Sequence, residues 1–220
     1  STRTTCPDWT VSIAVNTLIY DTDASIQGAQ VLAAEKTKVS ATDGSVMLNL
    51  AGTGQGAEKA AVGVAIAVNT LVGSTNARVE NSSVNRSNDK GTDLNVSALR
   101  WGALATAAIA GQGAKEWAVG GSFALGTVVA MTEAKLANSA VYASNDIGLS
   151  SLDASGTLNG AGSFQGSGKV AAGAAVSVYT LVNSIKSTVE DSELSAGNDI
   201  YLNSKNIAVI GNLAVAGQGA

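Results

Sequence analysis

One strand-like phrase occurs four times in this chain, and that recurrence limits the fold more than any other feature. It reads Ile13-Ala14-Val15-Asn16-Thr17-Leu18, Ile66-Ala67-Val68-Asn69-Thr70-Leu71, Phe123-Ala124-Leu125-Gly126-Thr127-Val128 and Val176-Ser177-Val178-Tyr179-Thr180-Leu181. The marker threonines are spaced 53, 57 and 53 residues apart. Self-similarity at such a period marks a solenoid, propeller or array. In these folds each unit buries its apolar face against its neighbours, and function lies on the extended surface.

Further landmarks keep phase with the threonines. Ala24-Ser25-Ile26, Ala77-Arg78-Val79, Ala134-Lys135-Leu136 and Ser187-Thr188-Val189 follow at a constant distance. Then come the single apolar residues Val31, Val84, Val141 and Leu194, a polar turn, and a second alternating strand: Val46-Met47-Leu48, Leu94-Asn95-Val96, Ile147-Gly148-Leu149, Ile200-Tyr201-Leu202. A glycine knot closes each unit: Gly54-Gln55-Gly56, Gly111-Gln112-Gly113, Gly166-Ser167-Gly168, Gly217-Gln218-Gly219.

Val62, Val64, Ile66 and Val68 alternate with Gly63, Ala65, Ala67 and Asn69, the period of a strand. The alternation predicts that Val, Ile and Leu rows, Ile66 among them, fill the interior. Asp43-Gly44, Asn88-Asp89-Lys90-Gly91, Ser144-Asn145-Asp146 and Ala196-Gly197-Asn198-Asp199 read as turns, because Gly, Asn and Asp accept sharp corners. A repeat would then hold about four or five short strands and span roughly two coils of ~4.8 Å. The predicted fold is an all-β parallel β-helix or β-solenoid of four repeats, approximately 10–56, 57–113, 114–168 and 169–220. Residues 1–9 form an N-terminal lead-in.

Composition fits that fold and excludes others. Hydrophobic residues make up 45% but aromatics only 4%, and there are 25 glycines and one proline. A propeller lacks its blade signatures here, and a transmembrane barrel lacks its aromatic girdles. The net charge of −4, without a basic cluster, gives no nucleic-acid footprint. No run of 18 apolar residues occurs, so membrane insertion is not expected. Histidine is absent, which removes an imidazole base or metal ligand. The single cysteine, Cys6, can form no internal disulfide.

The phrase Ser192-Glu193-Leu194-Ser195-Ala196-Gly197-Asn198-Asp199-Ile200-Tyr201-Leu202-Asn203-Ser204 resembles the β-helical repeats of filamentous haemagglutinin-type adhesins and related autotransporter passengers. Ser139 to Ser151 is a second copy, and the Gly-x-Ala-Val-x-Val-Asn-Thr strand is similar to segments of large glycine-rich secreted adhesins. The resemblance implies a non-catalytic adhesin stalk on a bacterial cell surface or secreted from it. Its partner would be a cell-surface receptor or glycan, or copies of the chain itself.

No candidate site is strong. Asp21 and Asp23 share a strand face, but their counterparts in other repeats (Ser74 and Asn76, Met131 and Glu133, Ser184 and Lys186) vary, which suits a solvated surface better than catalysis or calcium. The expected catalytic, cofactor and metal sets are therefore empty. Arg100 and Trp101 are candidates for partner contact, since Trp101 has no aromatic counterpart elsewhere. The alternative for Trp101 is lateral packing at a corner. If the ends pair with other copies, head to tail as in a filament, the contacts would be Trp9, Val11 and Ile13 at one end and Gly217, Gln218 and Gly219 at the other. Asn81, Asn85 and Asn95 head sequons that Ser/Thr/Asn-rich turns produce freely.

Overall fold

A computed structural model describes residues 7–33, 35–86 and 91–220. Residues 1–6 of the proposed lead-in, Cys6 among them, and residues 88–90 of one proposed turn lie outside them. The described residues wind as a parallel β-solenoid of four rungs, with twelve strands among them in three sheets. The front sheet stacks β1 (Asp8–Gln27), β4 (Ala60–Glu80), β7 (Trp117–Ala137) and β10 (Val170–Glu190). A narrow corner sheet stacks β2 (Gln30–Val31), β5 (Ser83–Val84), β8 (Ala140–Ala143) and β11 (Glu193–Ala196). The back sheet stacks β3 (Thr37–Ala57), β6 (Leu94–Ala114), β9 (Ile147–Ser167) and β12 (Ile200–Gly219).

Each repeat is thus one rung and not two coils. Its front and back strands run 20 or 21 residues, where several short ones were expected. Asp43-Gly44, read as a turn, lies inside β3. Each molecule is a blade whose front and back sheets face one another across a thin interior. The front strand of every rung joins the corner sheet at one end. At the other, the rim, the back strand turns into the front strand of the next rung.

Register follows the marker threonines without a slip: Thr17 pairs with Thr70, Thr70 with Thr127 and Thr127 with Thr180. It corrects two other landmarks. The first-repeat partner of Leu94-Asn95-Val96 is Thr37-Lys38-Val39, and Val46 instead pairs with Ala103. The third knot is Phe164-Gln165-Gly166, two residues earlier than Gly166-Ser167-Gly168, so the constant member is glutamine. Trp9 pairs with Val62 and Trp117 with Ala60, so the two tryptophans are two positions out of phase.

The front-to-corner bend is built by a left-handed residue in every rung: Gly28 (φ 61°), Asn81 (φ 50°), Asn138 (φ 48°) and Asp191 (φ 44°). Glycine, asparagine and aspartate are the residues for which this conformation costs least. Next to it Ser82, Ser139 and Ser192 stack, each Oγ accepting the backbone N–H one rung below at 3.1 Å. At the corner-to-back bend, the Asn-Asp pair of the repeated phrase ties rung to rung. Asn145 Nδ2 donates to Asp93 Oδ1 (2.9 Å), and Asn198 Nδ2 to Asp146 Oδ1 (2.8 Å). The Asn145 hydrogen bond, helped by the Lys36 charge, holds the Asp93 carboxyl below its usual range.

Candidate functional surface: the rim half of the blade

The long strands change character halfway along. Near the corner sheet, Val79, Leu136, Val96, Leu94, Ile147 and Leu149 are fully buried in one apolar cluster, and polar residues face out. In β4 the inward set continues toward the rim by strict alternation through Leu71, Asn69, Ala67, Ala65, Gly63 and Ala61. Ile66, Val68, Val64 and Val62 consequently point outward. The expectation that Ile66 fills the interior is overturned, because β4 has no bulge that could switch faces once Ala77 and Val79 are buried.

The interior of the rim half is small and polar. Ala51, Ala65, Ala67, Ala108, Ala110 and Ala124 pack together. Asn49 Nδ2 donates to Val68 O (2.6 Å) and Ala14 O (3.1 Å), and Asn159 Nδ2 to Val178 O (2.6 Å) and Ala124 O (3.2 Å). Nearer the rim the knot glutamines stack. Gln112 Nε2 donates to Thr53 Oγ1 at 3.2 Å, and Gln165 Nε2 to Gln112 Oε1 at 3.2 Å and Ser163 Oγ at 2.7 Å. Opposite them lie Gly63, Gly120 and Gly173, where a Cβ would come within 2.0 Å of a glutamine amide. The knot is a glutamine ladder filling a glycine groove, inside a strand and not at a turn.

The border between the halves holds a buried ion pair. Arg100 Nη1 donates to Asp153 Oδ2 (2.9 Å) and Oδ1 (3.1 Å) and to Ser155 Oγ (2.7 Å), while Nε donates to Tyr20 Oη (2.5 Å). Both charged side chains are about 1% exposed or less. Asp43, Arg100 and Asp153 form one register column across three rungs, and the guanidinium turns to Asp153. Burial alone would lower the Arg100 pKa, but the Asp153 hydrogen bond and charge outweigh it and raise it. Burial pushes Tyr20 up, against the lowering pull of Arg100. Arg100 therefore belongs to the interior, correcting its reading as a partner contact. Trp101, next in sequence, points out and lies across Gly44 of the neighbouring rung, where a Cβ would be 2.3 Å from the ring. It is half-exposed and packs laterally.

Comparison with protein-family models, curated proteins and solved structures finds no match for this chain.

The remaining candidate residues fall on the surface. Trp9, Val11 and Ile13 face outward on β1, the open edge of the front sheet, and are 71%, 62% and 63% exposed. Gly217, Gln218 and Gly219 lie on β12, the opposite edge of the back sheet, with Gln218 Nε2 donating to Gly173 O at 2.7 Å. Asp21 and Asp23 are exposed on the outer face of β1, and Asp21 accepts a short hydrogen bond from Ser74 Oγ. Of the acidic residues at the end of β10 and in β11, Glu190 pairs with Lys135 (3.2 Å) and Glu193 accepts from Tyr142 Oη (3.0 Å).

Sequence reasoning missed the apolar outer surface of the rim half. Its signal was present as a parity change: Val11, Ile13 and Val15 are odd, whereas Leu18, Ala24 and Ile26 are even. One strand carries apolar residues on one face and then on the other.

Proposed function

We propose that this chain is a non-catalytic structural segment of a bacterial secreted or cell-surface fibrous protein, a stretch of adhesin stalk. The observation supporting this reading is the unbroken in-register stacking of all four rungs. Main-chain ladders run along the stack axis, reinforced by serine, glutamine and Asn-Asp ladders at fixed positions. Such a body resists deformation along its axis and offers long, repetitive surfaces. The resemblance of the Ser192 to Ser204 phrase to adhesin repeats favours the cell surface as its location, and a receptor or glycan as its partner. Immunogold labelling of intact source cells with an antibody against residues 7–220 tests this. Labelling of unbroken cells is expected, and labelling confined to lysed cells would overturn the reading.

A second reading, a filament subunit joined head to tail, draws on the match between the two end rungs. Continuing the observed register places Gln218 beside Gln55, and Val176 beside Ile13, of the next copy. Light scattering across a concentration series separates the two. Long unbranched growth, blocked by Ile13→Pro, supports the filament, and a strictly monomeric chain removes it.

A further inference from the structure

The rim half carries an uncharged apolar band on both outer faces, over the same levels of the blade. On the front sheet it spans Trp9 to Ile19 and their partners in the other rungs, with the threonine column Thr17, Thr70, Thr127 and Thr180 as the polar exception. On the back sheet it spans the levels from Val46 to Gly56, where every outward residue is Val, Leu, Ile, Phe, Ala or Gly. Among the described residues, no Asp, Glu, Lys or Arg side chain points out of either band. At about ten residues deep and four strands wide, one face covers about 630 Å², taking ~3.3 Å per residue and ~4.8 Å per strand. Monomers rarely expose a contiguous apolar patch beyond a few hundred Å².

The two faces differ in relief. On the front, the middle rungs carry the bulk. Phe123 and Leu125 on β7 are the largest residues of their register columns, and Ile66 and Val68 lie beside them on β4. On the back, the middle rungs are low. Ala103 and Ala105 of β6 and Gly156 of β9 line a trough of about 550 Å³, together with Leu48 of β3, Leu158 of β9 and Val209 of β12. The front is raised in the rungs where the back is hollow.

Whatever covers these faces has to match rows spaced ~4.8 Å apart and a band of one depth on both sides. A second copy does so. Moved across the blade without rotation, one copy sets its front band over the back band of the next, level on level and rung on rung. The Phe123–Leu125 ridge then comes over the trough, and no charged side chain is buried by the contact. The two partners together would lose about 1,260 Å², twice the single face, which lies within the ~1,200–2,000 Å² of specific interfaces. Hydrocarbon suits the bands less. The end strands β1, β3, β10 and β12 leave a row of backbone groups unpaired at each end of the stack.

We propose that the two rim-half faces are the two sides of one lateral interface between copies of this chain, the front of one blade seating on the back of the next. Because the faces differ, the contact is heterologous and does not close on a pair, so copies add into a flat stack of blades. Packed sheets lie ~10 Å apart, a separation that interdigitating side chains fill. This growth runs across the sheets, at right angles to head-to-tail joining along the solenoid axis, and neither requires the other. It bundles neighbouring chains side by side. The charged corner half stays in water, as do the rim turns with their Lys115–Glu58 (3.3 Å) and Lys169–Glu116 (3.2 Å) pairs.

Sedimentation velocity across a concentration series tests the proposal, with substitutions on the middle rungs, away from the end strands. The wild-type chain should form oligomers that grow with concentration. Ile66→Lys on the front and Ala105→Lys on the back should each weaken association at least tenfold, with unchanged circular dichroism. Head-to-tail joining is untouched by either variant, so loss in both assigns the association to the faces. Mixing the two variants should restore a complex of twice the mass and nothing larger, because each keeps the face that the other lacks. Gly156→Leu, whose Cβ would come no nearer than 4.0 Å to Gly102 O, fills the trough and should also weaken association, although it adds apolar surface. Ser25→Lys, outside the band, should leave association intact. A monomeric wild-type chain, a single-face variant that associates like wild type, or a mixture without heterodimers would overturn the proposal. So would undiminished association of Gly156→Leu, or capture of the chain by phosphatidylcholine vesicles in place of self-association.

Discussion

The two halves of each long strand share a backbone and a period but obey opposite rules. In the corner half, Val79, Val96, Leu136 and Leu149 are inside, and Lys38, Ser40 and Arg78 are outside. In the rim half, Asn69, Gln112 and alanines are inside, and Ile66, Leu48 and Leu158 are outside. The corner half is held by hydrophobic burial. The rim half rests on ladder hydrogen bonds, close alanine packing and amide stacks, with Asn69 Oδ1, Thr106 Oγ1 and Ser122 Oγ left buried without a partner. The comparison teaches that in a bulge-free strand a well-filled core at one end dictates which face is inward at the other.

The sharpest way to break this contrast is to place the same charge at the same kind of residue in each half. Leu149→Asp should prevent folding, because an unpaired carboxylate would enter a fully buried site, at a cost of several kcal/mol. Ile66→Asp should fold with wild-type circular dichroism and lose about 1 kcal/mol or less, as surface changes do. Loss of the fold in Ile66→Asp would mean that the rim half is not inverted.

The border should be the next most sensitive place. Arg100→Met leaves Asp153 buried without its cation and should cost about 3–5 kcal/mol in urea unfolding. Arg100→Met with Asp153→Leu should recover much of that loss, because removing both charges removes the desolvation cost. If the double variant is no more stable than the single one, the pair contributes through contacts other than charge.

Glycines separate inside from outside at smaller amplitude. Gly120→Ala puts a Cβ 1.9 Å from Gln112 Oε1, so the amide ladder must shift, at about 1–3 kcal/mol. Gly54→Ala and Gly166→Ala meet nothing within 4 Å, and should be neutral or slightly stabilising through lower unfolded-state entropy. Equal effects at these positions in thermal melts would argue against a filled interior at the rim.

The smallest effect is alkaline. The folded Tyr20 pKa lies above its ordinary value, so its contribution to stability is complete below the unfolded pKa. That contribution should fall as pH rises through the raised folded value. Absorbance titration should show tyrosine ionisation above the ordinary phenol range whose amplitude falls in Tyr20→Phe. A high-pH amplitude that Tyr20→Phe leaves unchanged would contradict burial at the border.

Much of the fold was legible in the chain. The marker threonines, the corner valines Val31, Val84 and Val141, and the Asn-Asp turns fall where the repeat puts them, because identical rungs must stack in register to satisfy their backbone groups. Aromatics one repeat away from a glycine, such as Tyr20 over Gly73 and Trp101 over Gly44, are also visible once the register is known. The surface now assigned to the rim was misread because Val62 to Val68 looks like any half-buried strand.

The sequence by itself determined a fourfold solenoid, the corner-to-back bends at Ser144-Asn145-Asp146 and Ala196-Gly197-Asn198-Asp199, and the alternation of the long strands. It did not determine the number of coils per repeat, because nothing local distinguishes one 21-residue strand from several short ones. Nor did it determine which face is inward, since a period of two is unchanged when the faces are exchanged. Only the tertiary structure decided that. The apolar cluster around Val79 and Ile147 sets the parity, and the rigid strand carries it to the rim, leaving Asn69 and Gln112 inside and the valines outside.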